Sequence, residues 1–269
     1  MDGRQRKGSN DVHRDDNDLL NRAQPPSGGP ASSSGGTVIP NTLSEGVRVT
    51  TVPREGFLTA SFVWMFVGVL LSAASATFVM NDQALQERVA DLWLFLLLGQ
   101  LGLVFAISFL ITRIPSIVAL GLFFVYALAM GLTLGVIVLA YMGTIGISGV
   151  VSAFVGAAAI FGGAAVYGAV TKRDLTSLGG ILSMGLLGLI AVMFLQLFFF
   201  AQDGLASLAI GLLGVALFTG LTAWDVQRIR NGVVPGIDRD SASVMGALAL
   251  YLDFVNIFLF LLRIFGSSR

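Results

Sequence analysis

Leu250-Tyr251-Leu252-Asp253-Phe254-Val255-Asn256-Ile257 is an apolar run with an acid at its centre. It lies inside a segment, about 243–265, long enough to cross the roughly 30 Å hydrocarbon core of a bilayer. A second stretch, Leu221-Thr222-Ala223-Trp224-Asp225-Val226-Gln227-Arg228, places Asp225 near the end of the preceding apolar segment, about 204–227. An ionisable side chain at membrane depth is costly unless paired or wetted, so each acid marks a candidate functional site.

Working outward from these two, five further apolar segments lie at about 57–80, 90–112, 115–141, 145–170 and 177–200, the last ending in Phe198-Phe199-Phe200. The connections are short, which predicts antiparallel neighbours in a compact bundle. Of 269 residues, 55% are hydrophobic and 12% charged, whereas a soluble domain carries about a quarter charged. The fold class is therefore all-α and polytopic, with seven transmembrane helices.

Residues 1–55 contrast with the rest. They hold five of the seven prolines and runs such as Ser32-Ser33-Ser34-Gly35-Gly36. Too little apolar surface is available to offset the entropy of ordering them, which predicts a disordered cytoplasmic tail ahead of a membrane domain at 56–269. The polar start is not a cleavable signal, so the first apolar segment is expected to direct insertion.

Lys and Arg in the short connections set the expected orientation. Arg113, Lys172, Arg173, Arg228, Arg230 and Arg239 share one side, and Arg88 alone lies on the other. The N-terminus is thus expected in the cytoplasm. Seven crossings would carry Arg263 and Arg269 outside, against the same trend, so a last segment that re-enters without crossing is the competing expectation.

Of sixteen Asp and Glu, fourteen fall in the tail or in connections, leaving Asp225 and Asp253 within spans. The residue midway between them is Arg239, inside the polar connection, so an antiparallel hairpin lets the two acids face each other. Gly246, Ala249, Asp253 and Asn256 form a small-and-polar stripe at helical spacing, and Thr222 lies one turn before Asp225. Two carboxyls sharing a low-dielectric site cannot both ionise cheaply, so they are expected to share one proton. Such a pair is a latch that opens on charge repulsion or on meeting a cation. Doubly ionised, Asp225 and Asp253 suit a hard cation such as Ca²⁺. The bland alternative pairs Asp225 with Arg228 and bonds Asp253 to Asn256 or Tyr251.

Other polar groups are less specific. Arg113 is either a cation reaching inward or a surface anchor that snorkels. Gln100 is expected to join a polar network or bond a neighbouring helix. The small residues of 145–170, Ala159 and Gly163 among them, predict close helix packing.

Three stretches together resemble the bacterial branch of the Bax-inhibitor (transmembrane Bax-inhibitor-motif) family. They are Tyr167-Gly168-Ala169-Val170-Thr171-Lys172-Arg173-Asp174-Leu175, then Gly220-Leu221-Thr222-Ala223-Trp224-Asp225-Val226-Gln227-Arg228-Ile229, then Leu250 to Asn256 with Leu261-Leu262-Arg263-Ile264-Phe265-Gly266. The resemblance covers about 57–269. It implies a seven-helix bundle with the last helix central, a pH-sensing aspartate pair matching Asp225 and Asp253, and a pH-sensitive Ca²⁺ leak; eukaryotic members are associated with suppression of cell death. It also implies a latching arginine after the second helix, for which Arg113 is the nearest match. Gln100 stands where relatives carry glutamate, and Trp224 where tyrosine is usual.

These readings favour a pH-sensitive calcium or cation leak channel or passive transporter in the bacterial inner membrane. The expected partners are the lipid bilayer, calcium ion and protons, with no nucleic acid. The runner-up is a non-conducting regulator that binds another membrane protein, such as a membrane-bound protease. An enzyme is not expected, nor a bound cofactor. No cysteine exists, the one histidine, His13, is in the tail, and the aspartyl-protease signatures Tyr-Asp and Gly-x-Gly-Asp are absent around the two acids.

Overall fold

The computed structural model describes residues 56–199, 204–232 and 239–267, without the side chains of 197–199. The tail at 1–55 and Phe200 lie outside the described residues, as do the side chains of Phe198 and Phe199. Seven helices follow in order: α1 Phe57–Met80, α2 Gln83–Asp91, α3 Trp93–Leu110, α4 Ser116–Val170, α5 Thr176–Phe199, α6 Gly204–Asn231 and α7 Arg239–Ser267. No strand occurs among the described residues. All but α2 are long and apolar enough to cross a membrane.

α4 supplies two of the seven crossings. Its 55 residues would reach about 82 Å if straight, far beyond a bilayer. The break is Gly146, at φ 73° and ψ 170°, a conformation open to glycine because it has no Cβ. Contacts along α7 show that the chain reverses there. Phe123 and Tyr126 meet Tyr251, and Tyr141 meets Gly266, so 116–145 runs parallel to α7. Phe161 meets Phe254, Phe154 meets Phe258 and Gly156 faces Leu261, so 147–170 runs back. The turn expected at about 142–144 is thus a single residue slightly further on.

The segment after α1, expected as a loop, holds the amphipathic α2. Asp82 begins it by accepting the Leu85 amide at 3.1 Å, and Gln86 reaches back to the carbonyls of Val79 and Met80 at 3.1 Å each. This satisfies carbonyls at the end of α1 that have no partner inside their own helix. Asp174 plays a related part before α5. Its carboxylate accepts the Thr176 amide at 2.9 Å, and the Thr176 side chain and amide together hold the carboxyl below its usual range.

α7 is the central helix. Of its most apolar stretch 72% is buried, against 11% for α3 and for α5, which fixes which helices face lipid. It packs on α1, both arms of α4, and α6, whereas α5 attaches to α6 and α3 to α4 and α2. Its 29 residues span about 43 Å. One end lies beside the start of α1, where the Arg239 guanidinium covers Gly56, and the other beside Tyr141. α7 therefore runs the length of the bundle.

Apolar burial does not drive helices together in lipid, so contact must come from close packing and hydrogen bonds. The chain provides both. Gly131 lies on the Ser72 backbone, with Ser75 Cβ 2.7 Å from where its own Cβ would be, and Gly168 lies on the Ala223 carbonyl.

Candidate functional site: the seam between the last two helices

α6 and α7 are antiparallel and in defined register. Gly211 faces Ile264, Gly214 seats the Phe260 ring, and Thr222 stands beside Asp253. This register puts Thr222 level with Asp253. Asp225, three residues on, sits about 4.5 Å further along the axis toward the connecting end. The two acids therefore meet diagonally, and they interact electrostatically across the seam.

Both acids are buried, Asp225 at 9% exposure and Asp253 at 4%, and they are the only charged residues so buried among those described. Oδ2 of Asp253 has no hydrogen-bond partner. A buried acceptor left in this way is expensive, costing about 1–3 kcal/mol and more if charged. Thr222, fully buried, has a single hydroxyl proton, and its Oγ1 donates to the Phe218 carbonyl at 2.7 Å. While that bond holds, Thr222 has no proton left to give Asp253.

Two of the three bland partners, Asn256 and Tyr251, are engaged elsewhere. Asn256 turns its amide back to the Leu252 carbonyl at 2.8 Å. The Arg228 guanidinium is exposed and lies over the Trp224 ring, 5.2 Å from its centroid, and its charge still acts on Asp225. Tyr251 points away from Asp253, toward α1 and α4. Its hydroxyl is 2.6 Å from Ser72 Oγ, and Ser72 Oγ is 2.7 Å from the Ala127 carbonyl. Ser72 also has one proton to give. It goes to a carbonyl, Ala127 at 2.7 Å or Gly68 at 3.0 Å, so Tyr251 donates to Ser72.

This chain of donors makes an asymmetric prediction. Tyr251→Phe removes one donor and should cost about 1 kcal/mol of stability, whereas Ser72→Ala strands the buried Tyr251 hydroxyl and should cost about 1–3 kcal/mol. Thermal unfolding in detergent micelles checks the order of the two; equal losses would contradict it.

Gln100 and Arg113 are not brought to the pair. Gln100 is buried on α3 and donates to the Ala129 carbonyl at 3.0 Å and to Thr133 Oγ1 at 2.7 Å, so it ties α3 to α4. Arg113 is exposed in the turn after α3. No cluster of three His, Cys, Asp or Glu able to hold a metal exists among the described residues.

Sequence reading missed a clamp beside Asp225. Gln227 accepts the Leu175 amide at 2.8 Å and donates to the Arg173 carbonyl at 2.7 Å, and Arg230 donates to the carbonyls of Ala169 and Thr171. Trp224 fills the space over Gly179 of α5. The connection between α4 and α5 is thus fastened to the end of α6 that carries the acid. Gln227→Leu should orphan both backbone groups, and amide exchange at Leu175 should quicken about 10- to 100-fold, as expected for a loss of about 1–3 kcal/mol. Unchanged exchange there would mean the clamp bears no load.

Comparison with known proteins agrees with this architecture. The family described as "Inhibitor of apoptosis-promoting Bax1" matches residues 54–269. A protein of Deinococcus radiodurans is 42% identical over 216 residues, covering 79% of this chain and 90% of that one. The inner membrane protein YbhL of Escherichia coli is 36% identical over 228 residues, covering 81% and 95%. A protein of Borreliella burgdorferi is 39% identical over 223 residues, covering 80% and 94%. The chain belongs to the Bax inhibitor family of multi-pass membrane proteins.

Proposed function

We propose that the protein is a pH-sensitive leak channel or passive transporter for Ca²⁺ or a similar cation in the bacterial inner membrane, gated by Asp225 and Asp253. The observation that carries this reading is the buried, unpartnered Oδ2 of Asp253, whose carboxyl interacts with a second buried acid, Asp225. A purely structural carboxyl would have its oxygens satisfied.

In the shut state Asp253 holds the shared proton and donates it to Thr222 Oγ1. Raising the pH removes that proton, leaves two like charges in a site of low dielectric, and drives α6 from α7. The ionised pair then offers carboxylate oxygens and the Thr222 hydroxyl to a cation. Ca²⁺ takes six to eight oxygens, so water must supply the rest. A site so sparsely liganded suits passage better than storage. The asymmetry of Lys and Arg supports an N-terminus in the cytoplasm, and the relative YbhL, an inner membrane protein, supports the location.

The test is Ca²⁺ uptake into proteoliposomes across a pH series. Uptake above protein-free vesicles, increasing with pH, is expected; uptake equal to that of empty vesicles at every pH overturns the reading.

A further inference from the structure

Beyond Asp253, toward the end where α7 finishes and α6 begins, the same seam is closed in two layers. Phe260 lies two turns on, about 10 Å away, on the same face of α7. Its ring rests directly on the backbone of Gly214, where a Cβ would be 2.5 Å from the ring carbons. The Phe218 ring packs beside it, with centroids 5.8 Å apart. Ile264 closes over Gly211 in the same manner, 2.6 Å from where a Cβ would stand.

Above this apolar layer comes Arg263. Its Nε donates to the Ser207 carbonyl at 3.2 Å and to Ser207 Oγ at 2.9 Å, and another guanidinium nitrogen donates to Gln196 Oε1. One side chain thus ties α7 to both α6 and α5. Gln196 Nε2 is buried with no hydrogen-bond partner. The clasp therefore leaves a polar group unpaid for at the very place where it holds three helices together, as expected of a junction that is made and broken.

We propose that this end of the seam is the gate of the cation path, with Phe260 as its hydrophobic barrier and Arg263 as the clasp that keeps the barrier seated. The proposal rests on the leak reading above and adds where the path is shut. A cation leaving the aspartates toward this end meets two aromatic rings that exclude water, and a constriction of that kind stops ions by remaining dry. Arg263 then repels cations at the mouth while its bonds hold α6 and α5 against α7. Opening needs the ring to leave Gly214 and the guanidinium to leave Ser207 and Gln196.

The absence of cysteine from the chain makes a direct test simple. A single cysteine at position 222 (Thr222→Cys) reports water at the aspartates through its reaction rate with a small charged thiol reagent. Phe260→Ala should raise that rate at least about tenfold. Gly214→Ala, which pushes the ring off its seat without removing it, should raise it as well. Arg263→Gln should do the same and Arg263→Lys less, because lysine keeps the charge but not the forked geometry. Leu259→Ala, a truncation of the neighbouring residue, should leave the rate unchanged and so separates gating from general loosening.

Ca²⁺ uptake is measured on the same proteins without the reporter. Higher uptake in Phe260→Ala supports the gate. Uptake equal to wild type in Phe260→Ala, with Asp253→Asn altering it, overturns the gate and leaves the leak reading standing. No uptake in any protein overturns the leak reading. An unaltered labelling rate in both Phe260→Ala and Gly214→Ala overturns the gate whatever the uptake shows.

Discussion

Asp253→Asn should admit Ca²⁺ at one low rate across the whole pH series, while wild type rises with pH. Asparagine has nearly the shape of a protonated aspartate but cannot ionise. It can still donate to Thr222 Oγ1, so the shut arrangement survives at every pH and the protein should fold normally. What disappears is the repulsion with Asp225 that separates α6 from α7. Coupling of more than about 1.4 kcal/mol between two such groups changes an open-to-shut ratio about tenfold, and that factor is the expected loss at the alkaline end. Asp225→Asn should also flatten the profile. It differs in one respect: Asp253 keeps its own titration and its bond to Thr222, so a shallow residual slope should remain. Profiles of both variants superimposed on wild type would remove the pair from gating.

Gly168→Ala should be among the most destabilising single-atom-scale changes available in this chain. The added methyl would sit on the carbonyl oxygen of Ala223, with the Ala223 carbonyl carbon and Cα both at 3.0 Å. Neither is the end of a flexible side chain, so α4 and α6 must move apart. Overpacking of this kind costs about 1–3 kcal/mol, occasionally more. The cost should also be felt at Asp225, two residues along from Ala223 on the helix that is displaced. Gly162→Ala, one and a half turns earlier on the same arm, meets nothing within 4 Å and should leave stability unchanged or slightly raised. Thermal unfolding of the two purified proteins decides the matter; equal melting temperatures would mean α4 and α6 do not rely on this contact.

The crossings were legible because each is a long apolar run, and the two acids because no other carboxylate lies deep inside one. The reversal inside α4 was not placed to the residue, since Gly143, Gly146 and Gly149 look alike in sequence and only Gly146 takes the positive φ. α2 was passed over although its signals were present: Asp82 as a cap, then Leu85 and Val89 one turn apart. A short helix with charges reads as a loop when the eye is on long apolar runs. The hairpin arithmetic placed Asp225 and Asp253 level, and the packing of Phe260 on Gly214 shifts them by about three residues. No local rule contains that shift, because it is set by which ring lies on which glycine. Gln227, Arg230 and the bond between Tyr251 and Ser72 were invisible for a related reason. Their partners lie 52 to 179 residues away in the chain. Gln100 was read as a network member or a helix-to-helix bond, and Thr133 is the neighbour it finds.

The one-residue reversal at Gly146 bears on how the protein enters the membrane during synthesis. From Ile114 to Thr171 the chain carries no charge at all, and no polar loop separates the two arms of α4. The insertion machinery therefore has nothing hydrophilic to thread across between Arg113 and Lys172. Both arms can leave it together as a folded hairpin. α7 emerges last and finds its slot between two arms already set parallel and antiparallel to it.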